Sequence, residues 1–149
     1  MERVYYDHSR AEAEQPGFRS GEATSFVLDP NGEVVTCARV RLAPNSLHAL
    51  HGHGVVEALN RLPLAVGPIE AGCDAVLEPR ALSEASRILY EADRSTYGAT
   101  WEFRVGAADA PPREYCIVID NREYQRTLSR LQYLVVLAGR EGRAVRLAL

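Results

Sequence analysis

Residues 114–149 constrain this chain more than any other stretch. Glu114-Tyr115-Cys116-Ile117-Val118-Ile119 has the apolar, β-branched content of a buried strand. Asp120 is placed to open a helix, and Glu123 three residues later completes a capping-box pattern. Tyr124, Leu128, Leu131, Val135 and Ala138 recur on one face of that helix. Gly142 supplies a stop, and Val145, Leu147 and Leu149 alternate down a closing strand. A strand–helix–strand run of this kind requires sheet partners for both strands and an apolar bed for the helix.

The preceding residues supply hairpins rather than crossovers. Val4-Tyr5-Tyr6 starts a short strand, and residues 7–23, polar and containing Pro16-Gly17, read as a loop or ordered arm. Strands are expected over Thr24–Asp29 and Glu33–Arg41, joined by Asp29-Pro30-Asn31-Gly32, where proline presets the first turn residue and Asn-Gly tolerates positive φ. The second strand alternates incompletely, so one face is expected buried and the other half-covered. Over 43–77, Ala43-Pro44-Asn45 breaks the strand, residues 47–53 read as a helical turn or irregular loop, and Val55, Val56, Leu59 and Leu62 have the spacing of a short amphipathic helix. Pro79 is tolerated at a helix start, and Leu82, Ala85, Ile88 and Leu89 form the next apolar face, fraying near Ser95. Tyr97–Val105 is an expected strand with Ala99, Trp101, Phe103 and Val105 inward, followed by a loop over 106–113. The expected architecture is one α+β domain over 1–149. It has a mixed or mainly antiparallel sheet, two or three helices packed mainly on one face, and a loop-rich insertion near 43–78.

With 149 residues, 46% of them hydrophobic, the chain has material for one core without covalent staples. All 17 basic residues are arginine, as GC-rich codon usage alone would produce; the functional alternative is a need for guanidinium forks toward carboxylates or phosphates. The net charge of −3 conceals an asymmetry: residues 57–93 carry seven acids against three arginines, and residues 121–149 carry six arginines against two glutamates. Such a mild balance argues against general nucleic-acid binding. Cys37, Cys73 and Cys116 are odd in number and too far apart for a metal signature. Cys37 and Cys116 fall in apolar strand patterns and are expected to be small buried hydrophobes in a reducing compartment. The first residues show no secretory pattern and no stretch is long enough to span a membrane, so the protein is expected to be soluble and cytoplasmic.

Few residues suggest chemistry. His48, His51 and His53 could hold zinc, since three imidazoles plus water is a known catalytic set. Their spacing fits neither one helix face nor one strand face, and a solvent-exposed loop that happens to be histidine-rich is the favoured reading. Cys73 lies in the acidic run Glu70-Ala71-Gly72-Cys73-Asp74, which raises a thiol's pKa and disfavours a nucleophile. No nucleophile elbow, phosphate loop or dinucleotide fingerprint is present, so no cofactor is implied. Arg122, Arg126 and Arg130 form a basic stripe opposite the apolar face of the C-terminal helix: a solvated face, or a dock for an acidic partner or nucleic acid.

The spaced leucines from Leu128, then Leu137-Ala138, Gly142 and the terminal valine–leucine strand resemble the ending of small immunity proteins that accompany bacterial polymorphic toxins. The helix after Pro79 and the Trp101-containing strand suit the same style, so the resemblance runs from residue 78 onward. It implies a non-enzymatic inhibitor that covers a cognate toxin acting in the cytoplasm. The partner would be a protein, with no direct nucleic-acid or membrane contact. The alternative is a small metal-dependent or ligand-binding enzyme using the histidine cluster. For a partner with a basic, phosphate-binding cleft, the acidic segment is the expected docking face. Glu70, Asp74 and Glu78 would lie at its centre, with Glu84 and Glu91 flanking them on the helix.

Overall fold

A computed structural model describes residues 1–6, 20–70 and 72–149, and the backbone alone at Val105. The chain runs β1 (Glu2–Tyr6), β2 (Gly21–Leu28), β3 (Val34–Leu42), α1 (Pro44–Gly52), α2 (Val55–Asn60), β4 (Leu64–Val66) and β5 (Ala75–Leu77). A single 3-10 turn at Pro79–Ala81 leads into α3 (Leu82–Ser95), and β6 (Thr100–Asp109), β7 (Pro112–Asp120), α4 (Asn121–Arg140) and β8 (Ala144–Ala148) follow. The fold is α+β and mainly antiparallel. The described strands form two sheets rather than one, and four helices accompany them rather than two or three.

The smaller sheet has the order β1-β7-β6 and the larger β3-β2-β8-β5-β4. Among the described strands only β1 and β7 pair in parallel, Glu2 against Arg113 through Tyr6 against Ile117. The C-terminal strand–helix–strand unit therefore bridges the two sheets. β7 is central in one, and β8, the closing strand, is central in the other between β2 and β5. Between them α4 lies against β2, β3 and β8 and reaches β7, while α3 packs along it and α1 touches both α4 and β7. The core gathers where these layers meet: Leu42, Leu50, Leu77, Leu82, Ile117, Ile119, Tyr124, Leu128 and Val145 are all buried.

Local chemistry explains the element ends. Asp120 caps α4, its Oδ1 accepting from the backbone N–H of Arg122 (2.9 Å) and Glu123 (3.4 Å). Gly142 at φ 67° stops it: Arg143 N donates to Ala138 O (2.9 Å) and Gly142 N to Gly139 O (3.3 Å), a glycine-based Schellman pair. The β2–β3 turn places Gly32, not Asn31, at positive φ, with Asp29 Oδ1 accepting from Asn31 N and Glu33 N. Pro44, read from sequence as a strand breaker, is the first residue of α1, where a missing N–H costs nothing.

Several expectations are corrected. The arm expected over 7–23 mostly lies outside the described residues, but residues 21–23 belong to β2. The segment near 43–78 carries α1, α2, β4 and β5, with Leu47, Leu50, Val55, Val56 and Leu59 in the core. The loop expected over 106–113 shortens to a tight link, because β6 runs to Asp109 and β7 starts at Pro112. Ala99 is exposed, and Trp101 and Phe103 are half-buried against α1 rather than in the core centre. Cys116 is buried, and burial raises its thiol pKa above the ordinary value, helped by Glu102 and Glu114. Cys37 is exposed, because the outer half of β3 extends beyond the helices.

Candidate docking surfaces

The five acids expected to form a docking face are at or near the surface, but most are not electrically free. On α3, Arg87 joins Glu84, three residues before it, to Glu91, four residues after, at 2.6 Å from the latter. Its pull holds the Glu84 carboxyl below the ordinary range. Glu78, half-buried, pairs with Arg80 at 2.6 Å. Asp74 lies 3.9 Å from Arg146 of β8. Glu70 faces Cys73 across an isolated bridge and, among the described residues, has no arginine partner. The structure thus brings Glu84 and Glu91 together through one guanidinium and, among the described residues, leaves Glu70 as the one acid of the five outside an ion pair.

The histidines follow α1 to its end. Among the described residues no group of three or more histidine, cysteine or acidic side chains is placed to hold a metal. His53 is instead an aromatic spacer: its ring stacks on Trp101 at 3.6 Å and on Tyr124 at 4.9 Å between centroids. Partial burial lowers its pKa below the ordinary value and favours the neutral ring. Beside it a cavity of about 300 Å³ is lined by Thr96, Tyr97, Trp101 and Asn121 among others. The lining beside His53 is of hydroxyls, an amide and aromatic rings, without a carboxylate or a thiol. Asn121 acts structurally, its Nδ2 donating to Tyr97 O (3.0 Å) and Gly98 O (3.2 Å).

Two further surfaces stand out, one not singled out from sequence and one singled out only in part. The first is the tip of the β2–β3 hairpin. Past the point where α4 covers the sheet, Val27 (40% exposed), Leu28 (62%), Val34 (51%) and Val35 (46%) present apolar side chains. Val27 pairs with Val35 and Leu28 with Val34, so both faces of the tip are apolar. β3 is also an edge strand, and Cys37 is the extra residue where its register shifts against Ser25 and Phe26. The signal was available in sequence: two apolar runs flanking a polar turn with no polar alternation at the tip.

The second is the outer face of α4. Arg122, Arg126, Arg130 and Arg140 are exposed, and among the described residues none has an acidic partner within ion-pair distance. Tyr133, 72% exposed, lies among them. The stripe was legible as three arginines; Tyr133 and Arg140 extend it.

No family model matches this chain, and no curated protein or solved structure matches it either.

Proposed function

We propose that the chain is a non-enzymatic inhibitor of the immunity type, which binds a toxin domain acting in the cytoplasm and blocks it by occupancy. The observation that supports this reading is the hairpin tip. Four large aliphatic side chains stand in water on both faces of an edge hairpin. Apolar area of this kind is stabilised by about 25 cal/mol per Å² when a partner covers it. The rim at the turn carries Asp29 and Glu33, neither held by an arginine among the described residues, which suits a partner with a basic margin. Toxins that act on nucleic acids have such margins because they bind phosphates. Glu70, Asp74, Glu78, Glu84 and Glu91 then act in steering, with a field damped by their arginines. No observation favours the enzymatic alternative built on His48, His51 and His53.

The test is a search of the neighbouring genes for a toxin domain and co-expression with the one found. Cells should survive, and the two proteins should co-elute one to one. A Leu28→Asp/Val34→Asp variant should keep its circular dichroism spectrum and lose both properties. Growth arrest in the presence of the unmodified chain, or the lack of any neighbouring toxin gene together with the lack of a complex, would overturn the reading.

A further inference from the structure

Independently of the inhibitor reading, we infer that the outward face of α4 is a docking surface for an acidic polypeptide, recognised by a line of unpaired arginines around Tyr133. At 100° per residue Arg122, Arg126, Arg130, Tyr133 and Arg140 fall within an arc of about 80°, on a stripe about 27 Å long. The buried residues Tyr124, Leu128, Leu131, Val135 and Ala138 occupy the opposite side.

The absence of internal acidic partners is concentrated on this face: of the other described arginines, Arg41 and Arg94 also lie outside the ion pairs, and Arg94 donates to the Tyr90 hydroxyl at 3.0 Å. Eleven ion pairs join described residues, and they engage Arg3, Arg39, Arg61, Arg80, Arg87, Arg104, Arg113, Arg143 and Arg146. The four arginines on the α4 stripe engage in none of them. Like charges four residues apart weaken a helix, and α3 shows the alternative, an arginine set between two glutamates. On α4 the one exposed acid within the helix, Glu123, forms no ion pair, and Glu141 beyond its end is held by Arg143 at 2.6 Å.

The chemistry favours carboxylates on a polypeptide over a phosphate backbone. Arginines four residues apart recur about every 6 Å along the axis, the same interval at which a partner helix presents glutamates four residues apart. Guanidinium forks accept carboxylates in bidentate geometry. One exposed tyrosine among arginines is the composition of a protein hot spot, whereas single-stranded nucleic acid is held by a succession of stacking rings. The net charge of −3 would oppose a long phosphate chain, and a helix-length acidic segment avoids most of that repulsion.

The probe is a labelled helical peptide with glutamate at every fourth position, read by fluorescence anisotropy at low salt against the intact protein. Its comparisons are an isomer with the glutamates contiguous and a single-stranded DNA of equal charge. The spaced peptide should bind at least about threefold tighter than either, and roughly 0.5 M salt should abolish binding. Arg126→Ala/Arg130→Ala should weaken it at least about tenfold, and Tyr133→Ala should weaken it several-fold. Arg61→Ala/Arg113→Ala, which removes two arginines elsewhere, should leave it unchanged. Circular dichroism checks the fold of each variant, and Tyr133→Ala tests the face without altering charge. No binding, equal binding of the two peptides, tighter binding of the DNA, or an equal loss in the Arg61/Arg113 control would overturn the assignment.

Discussion

Helices α3 and α4 lie side by side and are built alike on their inner faces. Leu82, Ala85 and Leu89 of one and Leu128, Leu131 and Val135 of the other are buried in the same core. Their outer faces differ. On α3 the charges close on themselves, Glu84 and Glu91 on Arg87, so a helix with three acids and two arginines presents little unpaired field. On α4 the arginines have no such closure. A count of acids over 57–93 and of arginines over 121–149 treats the two segments as mirror images. Spacing separates them, because opposite charges three or four residues apart neutralise each other and like charges do not. The two helices are also joined end to start. Gln125 Nε2 donates to Thr96 O (3.4 Å) and to Asp93 O (3.2 Å), which also accepts from Thr96 N (3.2 Å), so the first turns of α4 tie down the backbone at the end of α3.

The largest expected effects lie where the helices are alike. Leu128→Ala and Leu89→Ala each remove a buried side chain from a shared core and should each cost about 2–5 kcal/mol. Chemical denaturation would measure both. If Leu89→Ala proved nearly neutral while Leu128→Ala was severe, α3 would be an appendage rather than an equal partner in the core.

A smaller effect should appear where the helices differ. Arg87→Ala strips the partner from two glutamates and leaves them repelling the negative side of the chain. It should lower the melting temperature slightly, and added salt should narrow the gap. Arg126→Ala/Arg130→Ala removes only like-charge repulsion and should leave the melting temperature unchanged or raise it. Equal losses in the two variants would mean that the arginines of α4 are engaged within the fold, and the contrast between the faces would fail.

Much of the secondary structure was legible because local rules agreed with one another. The unit β7–α4–β8 has strand content, a capping aspartate, a helical apolar stripe, a stopping glycine and strand alternation in sequence, and each is realised. The closure of Glu84 and Glu91 on Arg87 was also legible from spacing, although charge counting obscured it. Less was legible where tertiary contacts decide. Helix α1 hides its inner face because Asn45 and Ser46 are buried beside Leu47 and Leu50, and Ser46 meets Thr127 of α4 at 3.0 Å. Nothing local announces that β1 pairs with β7, or that β7 and β8 serve different sheets. The exposure of Cys37 and of the hairpin tip depends on where α4 stops covering the sheet, a matter of packing rather than pattern.

The smallest effect concerns His53, at the point where the two helices meet the end of α1. Its ring stacks on Tyr124 of α4 as well as on Trp101, and Asp93 of α3 lies close enough to add to the burial that raises the Tyr124 hydroxyl pKa. Stacking partly desolvates the imidazole and lowers its pKa in the folded state. Between that lowered value and the ordinary one near 6.5, the unfolded chain binds more protons than the folded chain. The contribution of His53 is therefore fully present above the ordinary value and is lost as pH falls through it toward the lowered value. Its size is reduced by the solvent that still reaches the ring. Denaturation midpoints at neutral pH and at about pH 5, compared between the unmodified chain and His53→Phe, isolate this part from every other titrating group. Phenylalanine keeps the stack and cannot take up a proton, so the variant should gain on the parent as the solution is acidified. If the difference between the two proteins stayed constant with pH, His53 would be as free to protonate in the fold as in the unfolded chain, and its stacking on the α3–α4 junction would have no electrostatic consequence.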